Sequence, residues 1–138
     1  MTIRLLAVAA LASTVLAVAA QPVPPEAATS PARLLAEYAK LAGAQPSAER
    51  GRKFFDTNFG QAMGWSCTSC HTRDPLRAGK NDATEKPIAP LAPAAEPTRF
   101  TDRRKVDFFF KINCNDVVGR ECTAAEKADV LAWLVTLK

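Results

Sequence analysis

Two cysteines and a histidine stand together in the run Cys67-Thr68-Ser69-Cys70-His71. Thiols three positions apart on one helical turn can each add to one of the two vinyl groups on the same edge of a haem. The adjacent histidine then lies under the iron as its proximal ligand. The spacing therefore predicts one haem c, attached covalently through Cys67 and Cys70 and ligated by His71.

Two other kinds of site also use a C-x-x-C pair. A structural zinc site needs further ligands of the right kind, and His71 is the only histidine in the chain. A thioredoxin-like redox pair accompanies a βαβ pattern, and no such pattern surrounds residues 67–70. The motif therefore favours haem attachment over both alternatives.

Residues 1–20 have the parts of a secretory signal peptide: a positive start at Arg4, an apolar segment and small side chains before the cleavage site. An uncleaved membrane anchor is the alternative, but the apolar segment is short for a span. We expect an exported, soluble, periplasmic protein with no membrane span once the signal is removed. An oxidising compartment also favours disulfides, so Cys114 and Cys122 are expected to bond to each other.

The chain that follows the signal is long enough for one small domain. Residues 21–29 are rich in proline and alanine, which predicts a flexible N-terminal tail. Residues 30–138 are then the predicted cytochrome c domain.

The formal net charge of +4 is mildly basic and spread along the chain. Its densest cluster is Arg103-Arg104-Lys105, at a predicted helix start. A solvated face is favoured over a nucleic-acid site, so no nucleic-acid partner is expected. A docking surface for an acidic redox partner is the other interpretation.

Capping residues and apolar periods predict an all-α chain, without strands or repeats. Four helices are expected: one capped by Ser30 and stopped by Gly43, one over residues 48–58, one capped by Thr101 and ending near residues 113–115, and one opened by a Thr123–Glu126 capping box. Between the second and third helices, residues 88–93 form an apolar, proline-stiffened loop that is suited to lying against a haem face.

Gly51 and Phe55 lie one turn apart on the second predicted helix. A glycine inside a helix costs stability relative to alanine, so it often marks close contact with another helix. The expected partner is the C-terminal helix, with Trp133 as the side chain at the contact. Such a Gly-x-x-x-Phe helix crossing an aromatic-bearing C-terminal helix resembles class I c-type cytochromes. The resemblance implies a class I cytochrome c-like helical fold wrapped around one covalent haem.

The sixth iron ligand does not follow from the usual pattern. Electron-carrying cytochromes place a methionine or a second histidine opposite the proximal histidine. Met1 leaves with the signal, and Met63 lies four residues before Cys67, where a short tether holds it near the attachment edge. The distal position is therefore open or filled by an unusual ligand: Tyr38, a lysine, or an asparagine near the Asn113 turn.

One segment of the chain resembles a known family. Residues 113–123, NCNDVVGRECT, are similar to the sphaeroides haem protein family, which consists of oxygen-binding class I c-type cytochromes of bacteria. Further similar segments are residues 29–32, 49–52, 88–93, 99–102, 126–129 and 131–134. The resemblance covers nearly the whole chain after the signal. The loop over residues 58–66, which carries Met63 and Trp65, departs from it.

The resemblance implies roles for Asn113, Cys114 and Cys122 of this segment. Asn113 would be the sixth iron ligand and would leave the iron on reduction, so that the five-coordinate haem takes up oxygen or nitric oxide. Cys114 and Cys122 would form a disulfide. The electron partner that the resemblance suggests is a dihaem c-type cytochrome.

Two functions from different classes follow. The first is a haem protein that accepts electrons and binds a diatomic gas when reduced, with Asn113 as a redox-switched ligand. The second is an ordinary electron-transfer cytochrome that stays six-coordinate. An enzyme that reduces oxygen or a nitrogen oxide is less favoured, because the sequence offers no obvious proton donor for the distal face.

Overall fold

The structure, a computed structural model, describes residues 24–138. This part of the chain contains five α-helices and one two-stranded hairpin. The helices are α1 (Pro31–Ala42), α2 (Ala48–Asp56), α3 (Cys67–His71), α4 (Arg103–Val118) and α5 (Ala124–Leu134). The strands β1 (Gly79–Lys80) and β2 (Pro87–Ile88) pair antiparallel. The helical architecture confirms the predicted all-α class, but the expectation of no strands is wrong for this short hairpin. The predicted signal peptide lies outside the described residues.

Helix α1 begins at the predicted cap, and α2 begins at the predicted residue 48. The side chain of Ser30 accepts a hydrogen bond from a backbone N–H in the first turn of α1, and Ser47 does the same for α2. Gly43 ends α1 in the left-handed conformation, with φ of 62°. Helix α2 ends two residues before the predicted residue 58, because Thr57 is already extended.

The cap of α4 is Asp102 rather than the predicted Thr101. One carboxylate oxygen of Asp102 accepts from the backbone N–H groups of Arg104 and Lys105, at 3.0 and 3.3 Å. The hydroxyl of Thr101 donates instead to the carbonyl of Thr98 at 2.7 Å. A carboxylate acceptor also complements the positive end of the helix dipole.

Helix α4 continues past the predicted end near Asn113. It reaches Val118 and stops at Gly119, whose φ of 78° is left-handed. Cys114, Val117 and Val118 are all buried, so a further turn of apolar contact stabilises the helix beyond the predicted limit. Asn113 is therefore an interior residue of α4, and its predicted position at a helix end is wrong.

The last helix, α5, lies against both α1 and α2. It opens with the predicted capping box: the Thr123 hydroxyl accepts from the Glu126 N–H at 3.2 Å, and the Glu126 carboxylate accepts from the Thr123 N–H at 2.7 Å. Three buried clusters join the helices. They are Leu34, Tyr38, Val106, Ala128 and Leu131; Phe55, Val130, Trp133 and Leu134; and Cys114, Val117, Val118 and Cys122.

Gly51 allows α2 and α5 to touch through their backbones. A Cβ built on Gly51 would overlap the backbone carbonyl of Asp129. The prediction of a close contact with the C-terminal helix is confirmed, but Trp133 is not the side chain that fills it. Trp133 packs instead on the ring of Phe55, with centroids 5.1 Å apart.

The segment before α1 is tied to the start of α4. Ala28 forms an isolated antiparallel bridge with Asp102, and the N–H of Thr29 donates to the carbonyl of Thr101 at 3.0 Å. Ala27 is only 2% exposed. Residues 24–29 are therefore held on the domain rather than forming the C-terminal part of a flexible tail, contrary to the prediction for residues 21–29.

Across residues 24–138, no helix has both the length and the apolar character that crossing a bilayer requires.

Candidate functional site

The predicted attachment motif forms the short helix α3 by itself. The helix is supported at its start, where the N–H of Ser66 donates to the hydroxyl of Ser69 at 3.1 Å. Neither Cys67 nor Cys70 belongs to a disulfide, and both are partly buried. One helical turn therefore presents two sulfur atoms three residues apart, next to the imidazole of His71.

The imidazole of His71 is held by a row of two aromatic rings from helices α2 and α5. Its centroid lies 6.1 Å from the ring of Phe55 on α2, which in turn packs on Trp133 of α5. Burial lowers the pKa of His71 to about 4, and the charge of Arg99 adds to this effect. His71 is therefore neutral at pH 7, which is the form that ligates a metal.

The environment of Cys67 differs from that of a redox-active cysteine. Burial raises the pKa of the Cys67 thiol to about 12, and the nearby Cys70 and Asp56 add to the increase. Reactive pairs of the C-x-x-C type require a lowered thiol pKa. Within residues 24–138 there is also no group of three or more His, Cys, Asp or Glu residues arranged to hold a metal ion. The redox-pair alternative to haem attachment therefore loses support.

A hairpin loop covers one side of the attachment motif. The backbone of Gly79 lies so close that a Cβ there would overlap the Cys70 carbonyl. The N–H of Asp82 donates to the Cys70 sulfur at 3.4 Å, and the Asp82 carboxylate accepts from the Trp65 indole N–H at 2.7 Å. Trp65, which belongs to the loop that departs from the family, is thus the residue that ties this hairpin to the motif.

The apolar loop over residues 88–93 is fixed by hydrogen bonds to Pro75 and Arg99, and its Leu91 packs against the same buried cluster as Cys67. The N–H groups of Leu91 and Ala92 donate to the carbonyl of Pro75 at 2.9 and 3.0 Å. The guanidinium of Arg99 donates to the carbonyl of Pro90 at 2.7 Å. The contacts of Arg99 and Pro75 with this loop were not predicted, since nothing local indicates that these segments meet.

Asn113 lies on α4 and is exposed. At about 100° per residue it lies close to Val106 and Phe109 around the helix, along one edge of the buried stripe. Its neighbour Cys114 belongs to the buried cluster against which Cys67 packs. The structure therefore brings the helix that carries Asn113 to the attachment motif, without a hydrogen bond between Asn113 and α3.

Cys114 and Cys122 are joined as a disulfide in the structure, with Cα atoms 5.6 Å apart, a separation typical of such bonds. The bridge links the last turns of α4 to the loop before α5. It therefore fixes the part of α4 that directly follows Asn113.

The other candidates for the distal position differ in their surroundings. The ring of Tyr38 is buried in the core, and its hydroxyl donates to Asp107 at 3.1 Å. Burial and the Asp107 charge raise the pKa of Tyr38, so this side chain is held as a packed phenol. Met63 is 61% exposed, on the loop between α2 and α3.

The donor set fits a haem. Two cysteine thiols and a neutral imidazole share one turn, and an apolar loop is fixed beside them. Cys67 and Cys70 are the residues that could carry the thioether bonds, and His71 is the one that could ligate the iron.

Comparison with known proteins agrees with this chemistry. A family model described as a domain of unknown function (DUF1924) matches residues 41–134. The cytochrome c-type protein SHP of Cereibacter sphaeroides is 53% identical over 108 residues, which are 77% of this chain and 83% of that protein. The chain belongs to the SHP family of c-type cytochromes. As an SHP-family protein it has haem c, with its iron, as cofactor.

Solved structures of the SHP family and of cytochrome c'' share the fold. The structure of oxidised SHP, described as an oxygen-binding cytochrome c, superposes with a TM-score of 0.74 at 51% identity, over 79% of this chain and 98% of that one. A solution structure of cytochrome c'' from Methylophilus methylotrophus, described in connection with haem-ligand detachment, gives a TM-score of 0.68 at 38% identity, over 77% of this chain and 92% of that one. The predicted cytochrome fold and the family resemblance are confirmed.

Proposed function

We propose that this SHP-family chain is a periplasmic cytochrome that accepts an electron and then binds a diatomic gas, oxygen or nitric oxide. Cys67 and Cys70 carry the haem, and His71 is the proximal ligand. When bound, the haem supplies an iron that takes up one electron and can coordinate a gas molecule. The placement of Cys67, Cys70 and the partly buried His71 on the one turn of α3 is the observation that carries the proposal. The oxygen binding of the related SHP supports the gas function.

Asn113 acts as the redox-sensitive distal ligand in this proposal. Its amide oxygen is a hard, neutral donor, which suits ferric iron better than ferrous iron. Reduction would weaken the hold of Asn113 on a bound haem iron, and its side chain would then be free to leave. Support comes from the position of Asn113 beside Cys114, whose cluster packs on Cys67, and from the detachment of a haem ligand described for cytochrome c''.

In this proposal the Cys114–Cys122 disulfide holds the backbone of α4 in place and leaves the side chain of Asn113 free to move. It anchors the backbone one residue after Asn113, so only the side chain has to move. His71 stays in place, because its ring is packed on Phe55. The proposed electron donor is a dihaem c-type cytochrome.

Spectra of the ferric and ferrous protein test the proposal. Asn113→Ala should turn the ferric spectrum from low-spin to high-spin or water-ligated, while the ferrous spectrum and gas binding change little. Asn115→Ala is the matched control, since Asn115 is exposed on α4 but about 200° around the helix from Asn113. An Asn113→Ala protein with an unchanged low-spin ferric spectrum, together with a Met63→Ala protein that loses it, would make Met63 the ligand. The protein would then be a six-coordinate electron carrier.

A further inference from the structure

The guanidinium of Arg99 lies within electrostatic reach of the attachment motif. Its charge adds to the lowering of the His71 pKa, whereas the groups whose charges act on Cys67 are Cys70 and Asp56. Arg99 therefore acts on the histidine end of the motif. Its own side chain is only partly exposed, and burial lowers the pKa of the guanidinium. The positive charge is thus incompletely solvated.

The apolar loop over residues 88–93 uses some of the hydrogen-bond donors of Arg99 and leaves others. The Nε–H donates to the carbonyl of Pro90 at 2.7 Å, and Nη2 donates to the carbonyl of Ala89 at 2.6 Å. A guanidinium carries five N–H donors in a planar fork, so three remain after these two bonds. Both acceptors are neutral carbonyls, so neither compensates the charge.

Within residues 24–138, Arg99 forms no ion pair. The two acidic residues nearest to it in sequence have other partners. A Glu96 carboxylate oxygen accepts from the N–H and the hydroxyl of Thr98, at 3.1 and 2.7 Å, and the carboxylate of Asp102 caps α4. A charge that is partly withdrawn from water is costly without an anion beside it. Arg99 is therefore suited to a carboxylate that another molecule supplies.

The fold holds the backbone of Arg99 in one conformation. The next residue, Phe100, has a φ of 62°, which is an unfavourable, left-handed value for a bulky side chain. Its ring packs against both the cluster around Leu34 and the cluster around Phe55, so core packing maintains this conformation. Strained residues that packing keeps in place are often found at ligand sites. The guanidinium is thus presented from a fixed corner of the chain.

Haem c, the cofactor of this family, supplies such carboxylates. Its propionates leave the edge opposite the vinyl groups that Cys67 and Cys70 would attach. We infer that Arg99 binds a propionate carboxylate of the haem through the N–H groups that the loop leaves unused. Guanidinium and carboxylate groups pair through charge-assisted, often bidentate hydrogen bonds. The inference rests on the proposed attachment of the haem to α3 and does not depend on gas binding.

This contact would fasten the haem at both of its edges. The thioether bonds hold the vinyl edge to α3, and Arg99 would join the propionate edge to the loop over residues 88–93. Leu91 of that loop packs against the same buried cluster as Cys67. One guanidinium would therefore link the cofactor, the apolar loop and the core around the proximal histidine.

A crystal structure of the wild-type ferric holo-protein tests the contact directly and needs no variant. A guanidinium nitrogen of Arg99 should lie about 2.7–2.9 Å from a propionate oxygen. Both propionates turned toward solvent, with water or a buffer anion on the guanidinium, would overturn the inference.

Two variants test the contact in solution by resonance Raman spectroscopy and redox titration. R99Q removes the charge and the fork, and R99K keeps the charge without the fork. The propionate bending bands should shift in both. The equilibrium constant for reduction should fall about tenfold in R99Q, because a nearby positive charge favours the ferrous state, and less than about threefold in R99K.

R77Q is the matched control. It also removes one positive charge, from a side chain that is 80% exposed and lies 3.7 Å from Asp74. A solvated surface charge interacts weakly. The propionate bands of R77Q should therefore stay at the wild-type positions, and its equilibrium constant for reduction should stay within about twofold of wild type.

Unchanged propionate bands in R99Q would overturn the inference in either of two ways. Together with a lower denaturant midpoint, they would show that Arg99 only anchors the loop. Together with a lower equilibrium constant for reduction, they would show that its charge acts on the iron site without touching a propionate. Failure of the proposed function is separate: the reduced wild-type protein would bind neither oxygen nor nitric oxide, while the Raman bands still respond to Arg99.

Discussion

The imidazole of His71 rests on the ring of Phe55, with centroids 6.1 Å apart and ring planes inclined at 45°. Phe55 is in turn packed on Trp133 of α5. The side chain proposed to hold the iron is therefore positioned from the far side of the domain, through two buried aromatic rings.

Phe55→Ala should destabilise the protein strongly, because it leaves a cavity between His71 and Trp133. The expected loss is about 3–5 kcal/mol of unfolding free energy, measured by denaturant titration of the holo-protein. Phe55→Leu keeps most of the volume and should cost less. Leu41→Ala, at an exposed site, should stay within about 0.5 kcal/mol of wild type. A Phe55→Ala protein as stable as Leu41→Ala would contradict this packing.

Gly51→Ala should lower the stability of the protein, whereas an ordinary glycine-to-alanine substitution inside a helix raises it. The usual gain in unfolding free energy is about 0.5–1 kcal/mol. At Gly51 the new methyl would overlap the Asp129 carbonyl, so α2 and α5 must separate. A loss of about 1–3 kcal/mol is expected, measured by thermal or denaturant unfolding. Arg52→Ala, on the exposed side of α2, is the control and should change stability little. A stabilising Gly51→Ala would refute the backbone contact.

The ion pair between Arg120 and Glu126 should make the stability of the protein depend on pH in the acidic range. Hydrogen bonding from Arg120 holds the pKa of Glu126 below its ordinary value of 4.5. A lowered carboxyl pKa contributes stability that is present above about pH 4.5 and is lost as pH falls through the folded value. Glu126→Gln should therefore be less stable than wild type at pH 6, and the difference should be smaller at pH 3.

Urea titrations of both proteins at the two pH values provide the measurement. Glutamine can still accept the hydrogen bond of the capping box, so the variant isolates the charge. A difference between Glu126→Gln and wild type that is the same at both pH values would indicate a structural effect instead.

Removal of the Cys114–Cys122 bridge should destabilise the protein and loosen the end of α4. Closing this short loop restricts the unfolded chain by about 2.5 kcal/mol in the loop-entropy model. The Cys114→Ser/Cys122→Ser variant should lose about that amount in denaturant titration. Hydrogen exchange of the α4 amides after Asn113 should become faster, while exchange in α2 should not. Two titratable thiols from this pair in the native wild-type protein would show that the bond is absent.

The helix starts could be predicted because their signals are local. Ser30 and Thr123 accept hydrogen bonds from N–H groups only a few residues away, and the sequence alone contains both partners. Asp102 replaced Thr101 as a cap because the bridge from Ala28 and the bond to Thr98 together fix the chain one residue earlier. Such long-range contacts leave no local signature.

The length of α4 was underestimated for a similar reason. Asparagine at positions 113 and 115 suggested a helix end, since asparagine is a weak helix former. Burial of Val117 and Val118 against the neighbouring cluster outweighs that preference. The attachment motif itself was predictable, because Cys67, Cys70 and His71 are adjacent in sequence. Residues such as Arg99 and Asp82 were not, since they reach the motif only after loops have folded.

The close fit of the hairpin on α3 sets the order in which the protein can be assembled. With the Gly79 backbone against the Cys70 carbonyl and the Asp82 N–H on the Cys70 sulfur, the closed hairpin covers part of the second thiol. The first thiol, Cys67, is partly buried against the cluster around the disulfide. We therefore expect the proposed thioether bonds to form most readily on a chain that is still open, so that haem insertion precedes closure of the hairpin during maturation.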